Sequence, residues 1–197
     1  FGLDNPLFTT LMMIFMVYNA ATVAAKRGEG IKKGKIIAFV SIGAGAAVTL
    51  SVLVGVGAIK YVPSEVIPIS GMVIGNAMVS VGLCFRQMKQ HFNERAQEVE
   101  IKLSLGASEK MASMDIIRDS IRLAMQPTVD SMKTLGIVSL PGMMTGLILA
   151  GIPPIKAIQY QIMVTFMLTA TVSIATFVSG YIAYRQFFNE RNQLTLV

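Results

Sequence analysis

The sequence predicts an all-α, polytopic transmembrane helical bundle with five spans and a helix–turn–helix elbow on the cytoplasmic side. Three observations predict it. Only 14% of the 197 residues are charged and 53% are hydrophobic, whereas soluble domains carry about 25% charge. Runs of the length a bilayer requires, about 20 apolar residues, recur along the chain. The positive charge falls in alternate connecting segments, as it does in membrane proteins with one cytoplasmic face.

The elements follow in order. Residues 7–25 form the first expected span, and no basic segment precedes it, so it does not read as a signal peptide. A glycine-punctuated basic loop covers 26–35. Residues 36–59 form the second span, rich in Ala, Gly and Val. After a turn at Pro63, residues 65–85 form the third, with Pro68 in its first turn, where a missing N–H costs least. Residues 134–151 form a short fourth span and 157–184 a long fifth, joined by Ile152-Pro153-Pro154. Segments 26–35, 86–133 and 185–197 hold 15 of the 17 Lys and Arg; only Lys60 and Lys156 lie opposite. Lys/Arg excess marks the cytoplasmic side. The split also accounts for the net charge of +6, so a nucleic-acid partner is not expected. The single Cys rules out an internal disulfide.

Segment 86–133 is patterned within itself. Met88, Phe92, Ala96, Val99 and Leu103 mark one face of a helix that continues out of the third span. Gly106 is suited to end it, Ser108 to cap the next helix, and Glu109 to favour that helix's positive end. Met114, Ile117, Ile121 and Ala124 form a second stripe, which Pro127 interrupts before the membrane is re-entered. The result is an elbow at 103–109, containing Leu103, Ser104, Leu105, Gly106, Ala107, Ser108 and Glu109.

Chemistry-bearing residues are sparse. A phosphate-cradling loop needs Gly-x4-Gly-Lys-Ser/Thr, but Gly34-Lys35 is followed by Ile36 and preceded by Glu29 at the first glycine position. The chain therefore does not supply its own ATP hydrolysis by this route. One His and one Cys, with no clustered carboxylates in the spans, give no hydrolytic site, and His91 reads as a surface residue. Asn76 and Gln161 are the best polar candidates for a pathway through the membrane, with Ser139 a third; interhelical hydrogen bonding is the competing role. Pro141 would kink the fourth span. Met72, Met78 and Met143 are candidate soft-metal contacts, although Met more often fills apolar space. Gly71, Gly75, Gly142 and Gly146 are small-residue pairs for close helix packing or a dimer face.

The runs Gly71–Val79, Lys102–Ser108, Ile117–Arg122, Pro127–Ser131, Val138–Met144 and Tyr160–Phe166 resemble the FetB (YbbM-type) family of ABC-transporter permease subunits. The resemblance extends from about the second span to Leu194. Glu100 and Gly106 also share the spacing of the coupling loop of ABC importers, though Ile101 and Lys102 replace its alanines. Members of the family have two more N-terminal spans than are seen here. The resemblance implies a single permease domain over 1–197 that exports iron or a related metal ion from a bacterial inner membrane. It implies a homodimer in the lipid bilayer, coupled through Glu100 and the elbow to a separate ABC ATP-binding subunit. ATP and Mg2+ would bind that partner, and no cofactor is expected in this chain. A sugar nucleotide or similar organic cargo is the alternative. A non-transporting, force-transmitting anchor is a further one, against which the short outer loops argue.

Overall fold

The computed structural model describes residues 6–28, 31, 33–136, 142–189 and 193–195. Seven α-helices are seen among them: α1 (Pro6–Arg27), α2 (Gly34–Gly55), α3 (Pro63–Glu94), α4 (Ala96–Ser104), α5 (Glu109–Thr134), α6 (Gly142–Leu149) and α7 (Pro154–Ala183). A 3-10 turn, Tyr184–Phe187, follows. The all-α class stands.

Four of the helices, α1, α2, α3 and α7, are long and apolar enough to cross a bilayer. The expected span at 134–151 is not one of them. Its described parts are the end of α5 and the eight-residue α6, which at 1.5 Å per residue covers only about 12 Å. Gly136, in the left-handed region at φ +79°, turns the chain just after α5.

The helices alternate in direction. Gly71 of α3 faces Met16 of α1, and Gly82 faces Arg27, so α1 and α3 run the same way. Thr49 of α2 meets Thr171 of α7, while Gly45 meets both Thr171 and Ala175, so that pair is antiparallel. Ile121 of α5 lies at Gly180 of α7, and Met132 lies at Thr169, so α5 also runs against α7. One end of the bundle gathers Gly28 against Phe85, the α4–α5 elbow, and a stacked Phe92–Phe187 pair with ring centroids 4.2 Å apart. The loops after α2 and α6 share the other end.

Small residues make close approaches, most of them at glycines outside the pairs that the spacing picked out. A Cβ on Gly45 would sit 2.9 Å from the Thr171 carbonyl oxygen, and one on Gly180 would sit 2.9 Å from Ile121. Apolar lipid offers helices no hydrophobic drive to associate, so such contacts and hydrogen bonds hold them together. The Thr171 hydroxyl supplies one, donating to Thr49 Oγ1 at 2.7 Å. By contrast, Gly75, Gly142 and Gly146 meet nothing within 4 Å among the described residues, whereas Gly71 meets the Met16 methyl at 3.3 Å. Of the four, only Gly71 makes a close helix contact among the described residues. His91 needs correction too. It is buried on the Met88/Phe92 face of α3 and shares a 3.4 Å hydrogen bond with Ser120 of α5.

Candidate functional site

Two features stand out, and α5 runs from one to the other. The first is the elbow. Ala107 N–H donates to the Lys102 carbonyl at 3.0 Å and Gly106 N–H to the Leu103 carbonyl at 2.9 Å, a paired closure that satisfies the last turn of α4. This closure requires a left-handed residue, and Gly106 supplies it at φ +88°. Ser108 Oγ then accepts from Met111 N–H at 3.4 Å and caps α5, as the spacing predicted. Glu109 stands in the first turn of α5, at the helix's positive end.

Ion pairs brace the two arms. Arg95 meets Asp119 at 2.9 Å, and Lys102 meets Asp115 at 3.0 Å and Glu98 at 2.7 Å. Those hydrogen bonds, to Glu98 first and then to Asp115, raise the Lys102 pKa above the ordinary lysine value. Such exposed pairs contribute about 0–1 kcal/mol each, so they set geometry more than stability. The apolar seam does more: Val99, Ile117, Ile121 and Ala124 are buried, although α3 ends at Glu94 and the face resumes in α4 beyond Arg95. The tip itself is apolar and unpacked. Leu105 is 82% exposed, Met111 68% and Ile101 54%, while Glu100 and Ser104 are exposed beside them.

The second feature is a half-open cavity of about 340 Å³ lined by α3, α5 and α7. It brings Asn76 and Gln161 together, far apart in sequence and both expected in a pathway. α5 adds Thr128, Ser131 and Met132, and α7 adds Thr165 and Thr169. The α5 hydroxyls, Thr128 and Ser131, were missed because 86–133 read as cytoplasmic. Their signal was the spacing of Thr128, Ser131 and Leu135 on one helix face. Several hydroxyls are turned onto their own helices: Ser131 donates to the Pro127 carbonyl at 2.8 Å and Thr165 to the Gln161 carbonyl at 2.8 Å. Gln161 is different. It is buried, its Nε2 reaches Thr165 Oγ1 at 3.4 Å, and its Oε1 has no partner among the described residues. An unpaired buried amide oxygen costs about 1–3 kcal/mol, which a passing cation or polar solute would relieve.

Beyond this cavity, toward the end that carries the α2–α3 loop, lies a second hollow of about 550 Å³. It takes in Met72 and Met143 together with Met163, Glu65 and Tyr160. Met78 lines neither space and packs against the core. Ser139 and Pro141 lie outside the described residues. Among the described residues no cluster of three His, Cys, Asp or Glu could hold a metal ion. The first cavity offers only neutral amide and hydroxyl oxygens and a thioether, whereas the second hollow adds the charged Glu65 and Lys60.

A model of an uncharacterised protein family, UPF0014, matches residues 1–188. The chain is 53% identical over 196 residues to the probable iron export permease protein FetB of Escherichia coli, covering 100% of this chain and 76% of that one. It is 34% identical over 194 residues to the protein ALUMINUM SENSITIVE 3 of Arabidopsis thaliana, covering 98% and 71%. It is 37% identical over 195 residues to the UPF0014 membrane protein YjkA of Bacillus subtilis, covering 97% and 76%. No solved structure matches the chain.

Proposed function

The chain belongs to the UPF0014 family of membrane proteins, and from that premise we propose that it is the transmembrane permease subunit of an ATP-driven ABC transporter that exports iron or a related metal ion. A separate ATPase subunit, carrying ATP and Mg2+, docks on the elbow at 103–109. Two copies of the chain form the membrane unit, and the glycines that meet nothing among the described residues of one copy, Gly75, Gly142 and Gly146, are open to the second.

One observation carries this reading: α5 begins at the exposed apolar tip and ends in the wall of the polar cavity. A push on Leu105 and Met111 is thereby delivered to Thr128 and Ser131 by one helix of 26 residues. The alternation of helix directions supports five crossings. In this reading the fourth is broken: α5 from about Pro127 supplies the inner half and α6 the outer half. Non-helical backbone at membrane depth is tolerated where it lines a cavity. The same directions put the basic loop, the elbow and the turn after α7 at one end, the end a cytoplasmic ATPase would reach.

A second reading keeps the machine and changes the cargo. The cavity's uncharged polar lining also suits an organic solute such as a nucleotide sugar. The test is ATP turnover and transport by permease and ATPase reconstituted together, with iron, other divalent ions and nucleotide sugars compared. Stimulation and uptake by iron support the first reading, and by nucleotide sugars alone the second. Neither cargo moving, in vesicles where the two subunits bind, would defeat the transporter assignment.

A further inference from the structure

A further site lies between α1 and α2, lined by none of the residues of the elbow or of the cavities above. On α1, Tyr18, Ala21, Thr22, Ala25 and Lys26 follow the three- and four-residue spacing of one helix face, which spans roughly 12 Å. On α2, Lys35, Ile36 and Phe39 face it. Two hollows lie along this seam. The one at the loop end is about 440 Å³ and takes in Lys26, Lys33 and Lys35 over an Ile31 and Ile36 floor. The one nearer the membrane centre is about 240 Å³, almost wholly apolar, and walled by Tyr18, Ala21 and Phe39. The hollows adjoin at Lys35 and Ile36, which sets a cationic head next to an apolar tail along one groove-like seam. None of the three ammonium groups forms an ion pair with a described carboxylate.

We propose that this groove binds an anionic phospholipid, the phosphate headgroup among Lys26, Lys33 and Lys35 and an acyl chain along Tyr18, Ala21 and Phe39. The order of charge and apolar surface along the groove matches that of a lipid entering from the bilayer: headgroup at the interface, chain toward the centre. A free phosphate would use the lysines but leave the apolar hollow empty. A basic pocket between membrane helices is a recurrent form of headgroup recognition. The inference does not depend on the transport reading.

The chain has no Trp, so one introduced residue reports one place. The full chain carrying Phe39→Trp is reconstituted in bilayers in which either phosphatidylglycerol or phosphatidylcholine is brominated, and quenching is measured. Phe177→Trp, at an exposed position of α7, is the control for lipid contact outside the groove. The expected result is enrichment of the anionic lipid at position 39 over position 177, by about fivefold for each lysine engaged. Replacing the three lysines with Gln removes the preference, and replacing them with Arg keeps it. Excess inorganic phosphate leaves it in place. Equal enrichment at 39 and 177 overturns the proposal, even if the Gln variant fails to fold. So does a preference that survives the Gln changes, or one that inorganic phosphate abolishes.

Discussion

Replacing Gly106 separates two ways in which the elbow could work. The residue is left-handed at φ +88°, and a Cβ placed there would meet nothing within 4 Å. The penalty of a substitution within the chain is therefore one of backbone conformation, not of space. A residue with a Cβ pays roughly 1–2 kcal/mol in the left-handed region. That changes the ratio of the native bend to relaxed alternatives by about 5–30-fold. Asn tolerates the region better than Ala, and a β-branched residue tolerates it worst. If the bend must hold Leu105 in one orientation to receive the ATPase stroke, cargo moved per ATP falls in the order Gly, Asn, Ala, Val. The arms stay folded, because Val99, Ile117 and Ile121 remain buried. The assay is transport and ATP turnover on the same reconstituted vesicles, with far-UV circular dichroism to check the helices. An order that follows side-chain size instead, with Ala ahead of Asn, would refute the conformational argument and point to a clash with the partner. An unchanged ratio in all three variants would remove the elbow from the coupling path.

Other substitutions probe the remaining parts. Leu105→Ser, at a side chain 82% exposed, should leave thermal unfolding unchanged yet weaken ATPase binding by about 1.5–3 kcal/mol, measured by titration in detergent. Gln161→Leu removes an unpaired buried oxygen, so it is expected to raise the unfolding temperature slightly while reducing transport; full transport would exclude Gln161 from the pathway. Gly45→Leu should destabilise the chain by about 1–3 kcal/mol or more through the Thr171 carbonyl, whereas Gly75→Leu should not; equal effects in monomeric detergent preparations would contradict the packing described. Pro127→Ala restores an N–H that can reach the Leu123 carbonyl and should stabilise α5 by up to about 3 kcal/mol while slowing transport, read by thermal unfolding and vesicle flux.

The fold class and four long helices were legible because apolar length and charge alternation are strong, local signals. The elbow was legible for the same reason, since the Gly106 closure and the Ser108 cap are fixed by residues within a few positions. The cavity was half legible. Asn76 and Gln161 stood out as polar groups in apolar runs, but Thr128 and Ser131 follow a segment dense in charge and read as its continuation. Only the antiparallel packing of α5 on α7, with Met132 against Thr169, brings them to the depth of Asn76. Close packing was least legible. Glycine pairs at four-residue spacing describe a single helix face, whereas Gly45 and Gly180 matter through the partner helices opposite, Thr171 on α7 and Ile121 on α5. His91 was misread because one polar residue between apolar neighbours says nothing of the Ser120 that waits on another helix.

The two parts of α5 differ in a way that suits a lever. From Ala112 to Ala124 its inner face is buried, with Ile121 tight against Gly180, and a close-packed contact passes displacement on without absorbing it. From Pro127 the same helix borders open space, where a wall residue can shift without first displacing a neighbour. The proline removes one backbone hydrogen bond at the boundary between these regions. Stiffness on the elbow side and freedom on the cavity side are what coupling requires: a loose outer arm would dissipate the stroke, and a packed inner wall would not open.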